Sequence, residues 1–141
     1  MVKRLCGAAA IWLLVMGFVA QGQEKKTTWS GLYTVEQADR GSTLYAAECA
    51  ACHGGGLSGQ EAAPALAGDQ FNANWEGQSL ADLFDRIRTT MPQTNPGGLT
   101  RAQCVDILSH MLRTGGFPAG ETPLDGAPGA LLNVSFVTYK P

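Results

Sequence analysis

Histidine is scarce in this chain, which carries two imidazoles and four cysteines in 141 residues. Cys6 falls in an apolar N-terminal stretch and Cys104 stands alone, so there is neither a disulfide framework nor the second ligand pair that a tetrahedral zinc site requires. Cys49 and Cys52 form a C-x-x-C, but the strand feeding a helix that places a redox dithiol in a βαβ unit is missing around them. Basic charge is also in short supply, with ten Lys and Arg against twelve Asp and Glu. That balance gives no cationic field for nucleic acid or an anionic membrane surface. Long regular patterns are lacking too, since 18 glycines and 7 prolines break the chain into short pieces.

What is present is concentrated in Cys49-Ala50-Ala51-Cys52-His53. Two thiols three residues apart with an imidazole directly after them form the attachment signature of c-type haem. Cys49 and Cys52 are spaced to add across the two vinyl groups of one porphyrin, and on a turn of helix His53 then points a ring nitrogen at the iron. The expected cofactor is one covalent haem c.

The N-terminus reads as a signal peptide over residues 1–22. Lys3 and Arg4 form its basic region, Leu5 to Ala20 its uncharged apolar region, and Ala20-Gln21-Gly22 its cleavage site. An uncleaved membrane anchor is the alternative. Export to the periplasm suits the motif, because c-type haem is attached in a disulfide-permissive compartment in bacteria. Cleavage leaves eight basic residues against twelve acids, a net charge near minus four.

At this length the chain allows one domain. Residues 23–34 read as a polar, mobile N-terminal arm made stickier by Trp29 and Tyr33, and residues 35–117 as the domain proper. From Val35 a helical pattern runs through Ala38, Gly41, Leu44 and Tyr45 into the haem motif, and Gly54-Gly55-Gly56 stops it. Leu57 to Trp75 is too rich in Gly, Ala and Asn for long regular structure. Ser79-Leu80-Ala81-Asp82 forms a capping box, and Leu80, Leu83, Phe84 and Ile87 follow at helical spacing up to Pro92. Thr100-Arg101-Ala102-Gln103 opens another helix, with Cys104, Val105, Leu108, Met111 and Leu112 on its inner face, closed by Gly115-Gly116. Residues 118–141 form a C-terminal extension, with an apolar end suited to a final strand or wrap. So few short helices leave much of the core to the porphyrin.

A carrier of electrons needs a second axial ligand opposite His53. The candidates are Met91, Met111 and His110. Met91 sits in Thr89-Thr90-Met91-Pro92, just after an amphipathic helix, where Pro92 stiffens the segment. Met111 shares the apolar face of its helix and reads as core. His110 suits a contact with the first helix better than ligation. Met91 is the favoured ligand, with His110 and an open site as alternatives.

These residues resemble a class I mono-haem cytochrome c, and more closely the bacterial periplasmic cytochromes c associated with quinoprotein (PQQ-dependent) dehydrogenases. The resemblance rests on Gly31-Leu32-Tyr33-Thr34, Gln37-Ala38, Arg40-Gly41, the haem motif through Gly54, Ala63-Pro64-Ala65-Leu66-Ala67-Gly68, Trp75, Asp82-Leu83-Phe84, Thr90-Met91-Pro92, Val105-Asp106-Ile107-Leu108 and Gly116-Phe117-Pro118-Ala119-Gly120. It covers nearly all of the chain beyond the leader. It implies an all-α fold of three to four short helices around one haem bound by Cys49 and Cys52 and ligated by His53 and Met91. It further implies that Pro64 offers its carbonyl to His53, that Trp75 lies near a haem propionate, and that Gly41 and Tyr45 cross the last helix near Leu108 and Met111. The family commonly has tyrosine at the position of His110 and an aromatic at that of Cys104, so this chain departs there.

The function so implied is periplasmic one-electron transfer with no substrate chemistry, from a dehydrogenase donor to an oxidase or cytochrome acceptor of the respiratory chain. Two alternatives stand beside it. One is a haem protein with an open sixth site that binds small ligands or acts on peroxide. The other is a dedicated cytochrome subunit of a dehydrogenase complex, with the Trp29 to Tyr33 arm and the tail from Pro118 as docking surfaces.

Overall fold

The computed structural model describes residues 25–61 and 63–141, and the leader expected over residues 1–22 lies outside the described residues. The fold is all-α. Five helices, α1 (Val35–Glu48), α2 (Ala50–His53), α3 (Asp69–Trp75), α4 (Leu80–Thr90) and α5 (Arg101–Thr114), are flanked by two-residue strands β1 (Lys26–Thr27) and β2 (Val134–Ser135).

The helix starts follow local chemistry. Thr34, Ser79 and Thr100 each accept a hydrogen bond from the third residue beyond them, which satisfies one orphan N–H of the first turn. Ser79/Asp82 and Thr100/Gln103 are full capping boxes. Two features differ from the sequence reading. The first helix does not run unbroken into the haem motif: it ends at Cys49, whose backbone (φ −125°, ψ −35°) leaves the helical region, and a separate turn, α2, carries His53. The broken stretch before Ser79 also contains α3, where Phe71 and Trp75 sit one turn apart with ring centroids 6.1 Å apart.

The framework is the crossing of α1 on α5. Gly41 makes it possible, because a Cβ there would overlap the main-chain carbonyl of Asp106 and lie 3.1 Å from the His110 Cβ. Arg40 locks the crossing from outside by a two-pronged bond to Asp106, at 2.9 Å on each oxygen. Tyr45, Leu108 and Leu112 fill the buried side.

The arm is tied down rather than free. β1 pairs in parallel with β2, and the Thr28 hydroxyl both donates to the Val137 carbonyl (2.6 Å) and accepts from the Val137 N–H (3.0 Å). The tail is equally engaged. Buried Gln37 clasps Leu124 through both ends of its amide, at 3.0 and 2.7 Å, while the Tyr33 hydroxyl donates to the Phe117 carbonyl at 2.7 Å. Phe117, Leu124, Leu131, Val134 and Phe136 thereby join the core, so the extension supplies apolar area that the helices alone lack.

Gly41→Ala is expected to lower unfolding stability by at least about 2 kcal/mol, because overpacking against a backbone carbonyl forces the helices apart. Guanidinium unfolding checks this, and an unchanged midpoint would contradict the packing described.

Candidate functional site

The site begins where α1 stops. The Cys49 N–H closes α1 on the Tyr45 carbonyl (2.9 Å), and the Cys49 carbonyl in turn accepts from the Cys52 and His53 N–H groups at 3.1 and 2.9 Å. The tight turn of α2 leaves Cys52 exposed, Cys49 half-buried and the His53 ring buried. Burial pushes the Cys49 thiol up to about 11, helped by Glu48 and then by the nearby Cys104 and Cys52. In the haem-free chain this thiol is therefore protonated at neutral pH.

His53 is oriented by the loop that follows it. Its Nδ1 lies 2.7 Å from the Pro64 carbonyl oxygen. A carbonyl only accepts, so Nδ1 carries the proton and Nε2 keeps its lone pair for a metal. The loop is fixed at several points: the Gly59 N–H donates to the His53 carbonyl (2.9 Å), the Leu66 N–H to the Leu57 carbonyl (2.8 Å), and the buried Tyr45 hydroxyl to the Gly54 carbonyl (2.7 Å). Gly59 has φ +78°, and a Cβ there would sit 2.7 Å from the Ala65 nitrogen. Only glycine lets the chain fold back closely enough to bring Pro64 over the imidazole.

Met91 is the C-cap of α4, with an extended backbone (φ −119°, ψ 152°) and its N–H on the Ile87 carbonyl at 3.1 Å. The Thr89 and Thr90 hydroxyls bond back to the Asp85 and Arg86 carbonyls, which loosens the last turn and releases Met91 from the helical path. The side chain is half-buried, and Leu83, Phe84 and Ile87 anchor the helix that carries it. The other two candidate ligands lie elsewhere. Met111 is buried in the core. His110 packs against Tyr45 (ring centroids 5.3 Å apart, planes tilted by 53°) at the α1–α5 crossing, with Arg113 at 3.4 Å from its Nδ1. Trp75 is half-buried and packs on Phe71.

Among the described residues no group of three or more His, Cys, Asp or Glu side chains could hold a metal ion directly. The iron of a porphyrin brings most of its own ligands and asks few of the chain. The donor set suits that: two thiols on one turn and a buried imidazole with Nε2 unpaired. Sequence reasoning passed over Tyr45 and Gly59 as determinants of the site, because what each does depends on the folded-back loop.

His110 is the one imidazole left to titrate when His53 holds a metal. Burial, then Arg113, holds it below its ordinary value of 6.5. The unfolded chain thus binds the extra proton first, so stability is full above about pH 6.5 and declines as pH falls through that value. His110→Gln is expected to flatten this decline below about pH 6.5 in denaturation midpoints, whereas parallel slopes for variant and wild type would contradict it.

No curated protein and no solved structure matches the chain. A family model does, over residues 36–111, more than half of the chain and from the first turn of α1 to the last of α5. Its description is cytochrome c oxidase, cbb3-type, subunit III, and its members are c-type cytochromes with covalently bound haem iron. The turn that presents Cys49, Cys52 and His53 lies inside that match, and the chain belongs to this family of cytochromes c.

Proposed function

We propose that this cytochrome is a one-electron carrier of the periplasm, with Cys49 and Cys52 as the thioether anchors and His53 and Met91 as the axial ligands. The observation that carries the reading is the His53 imidazole, buried and fixed through Nδ1 on the Pro64 carbonyl so that Nε2 faces away unpaired. When bound, the haem supplies an iron that takes up or gives up one electron between its ferric and ferrous states.

The chain's part is to hold that iron in one environment in both states. The Pro64 carbonyl fixes the tautomer and tilt of His53. The Met91 thioether is a soft neutral donor, and methionine opposite histidine raises the potential. Leu57, next to the loop that orients His53, and Leu83, on the helix that ends at Met91, are buried in the core. Family membership supports haem-based electron transfer in the same direction.

Electrons would enter and leave near Cys52, Gly55 and Gly56, which are exposed beside the buried His53. Every charged side chain from Gly41 to Asp85 is acidic, and all six (Glu48, Glu61, Asp69, Glu76, Asp82, Asp85) are exposed. A surface with this excess of exposed acids favours small, transient contacts with redox partners that present Lys and Arg. A periplasmic dehydrogenase as donor, quinoprotein-dependent in the closer resemblance, and an oxidase or second cytochrome as acceptor complete the reading. The family description, which names an oxidase, fits the acceptor end. Among the described residues no helix is long and apolar enough to cross a membrane. Much of the arm and tail packs on the domain itself, with Tyr33, Leu124, Leu131 and Phe136 buried, while Leu132 and Tyr139 of the tail stay exposed. His110, engaged at the helix crossing, is poorly placed to serve as the acid or base of a peroxide-active haem.

Met91→Ala is expected to keep the covalent haem, lose the weak near-infrared band of ferric iron–thioether ligation, and gain rapid carbon monoxide binding in the ferrous form. Retention of that band, or rapid carbon monoxide binding by the wild type, would overturn Met91 as ligand.

A further inference from the structure

The proposed iron site uses one of the two imidazoles of the chain and leaves His110 free to titrate. Its place in the fold is close behind that site. The His110 ring packs against Tyr45, and the Tyr45 hydroxyl, at the far end of the phenol, donates to the Gly54 carbonyl at 2.7 Å. Gly54 follows His53 directly in the chain. One buried phenol ring therefore stands between His110 and the main chain that carries the axial imidazole.

The neutral His110 ring is held in one tautomer. Arg113 Nη2 lies 3.4 Å from His110 Nδ1, and a guanidinium only donates, so Nδ1 keeps the lone pair and Nε2 carries the proton. Protonation at Nδ1 sets two donors face to face, while Arg113 retains its bonds to the Asp39 carboxylate and to the Ala38 carbonyl (3.1 Å). The acids that face the crossing are already committed. Asp39 is paired with Arg113, and Asp106, one turn back on α5, with Arg40 at 2.9 Å. Glu48, at the end of α1, is exposed, and Cys49 has no proton to lose once it is a thioether. An imidazolium at this position is thus a charge with no carboxylate of its own, and its field reaches the iron through the protein interior, where it is screened less than in water.

We propose that His110 is a proton-linked regulator of the haem, taking up a proton from water as the iron accepts an electron and returning it as the electron leaves; the inference rests on the haem-bound reading above. Reduction removes one unit of positive charge from the iron. The imidazolium is then repelled less, so His110 binds its proton more tightly in the ferrous protein, and by reciprocity a protonated His110 raises the potential. The carrier becomes a better electron acceptor in acid. Burial, then Arg113, holds His110 below its ordinary value of 6.5, which puts the effect on the acid side of that value.

The test uses the haem-bound protein. With His53 on the iron, His110 gives the one titrating imidazole resonance, and its NMR titration in both oxidation states is expected to show about fivefold tighter proton binding in the ferrous protein. The midpoint potential of the wild type is expected to rise as pH falls below 6.5, and the rise is expected to be smaller in His110→Gln, with the visible spectrum unchanged. Equal proton affinity of His110 in the two states overturns the proposal, as does an undiminished rise in His110→Gln, the pattern that a titrating haem propionate gives. If His110→Gln fails to fold, the wild-type resonance decides. A purified protein without haem absorbance would instead refute the haem reading itself, so the two failures are distinguishable.

Discussion

The hydrogen bond from His53 Nδ1 to the Pro64 carbonyl is the contact on which the site depends. In free energy of folding such a bond contributes only about 1 kcal/mol net, far less than the apolar core. Its consequence is geometric: it decides which nitrogen carries the proton and where the ring points. The residues from Gly54 to Leu66 serve to keep that carbonyl where it is. Gly59 permits the close return of the chain, Leu57 plugs the loop into the core, and Tyr45 ties the end of α2 to the helix behind it.

Tyr45 also joins this loop to the frame. Its hydroxyl holds the Gly54 carbonyl and its ring meets His110 across the α1–α5 crossing. The crossing therefore supports the imidazole from behind, with Gly41 setting how close the helices come. Met91 is held separately, at the end of α4, and α4 is fixed on α5 through Leu83, Phe84 and Ile87 and by the Arg101 guanidinium 4.9 Å from the centre of the Phe84 ring. His53 and Met91 thus sit on different elements, each supported from α5, an arrangement that suits the ligand roles proposed for them.

The parts of this arrangement that were legible in the sequence are those written in local chemistry. Ser79 and Thr100 cap where their side chains reach three residues onward, so α4 and α5 could be placed from short patterns. The haem motif was legible because its spacing is set by one porphyrin. The break at Cys49 was not, since every residue from Val35 to His53 tolerates a helix and the departure lies in the dihedral angles of one position. Nor was the pinning of the arm, because Thr28 meets Val137 across 109 residues and a polar segment carries no mark of so distant a partner. Helix α3 hides in Asn-rich sequence, its one signal being the Phe71 and Trp75 pair a turn apart.

An arrangement that fixes one imidazole on a backbone carbonyl and brings a thioether from a separate helix is suited to one electron at a time. The direct measurement is a redox titration of the purified protein followed in the visible and near-infrared. The account predicts a single reversible one-electron transition, with the weak near-infrared band of thioether ligation lost in step with reduction of the iron. A high-spin ferric spectrum without that band, or a transition of more than one component, would contradict it.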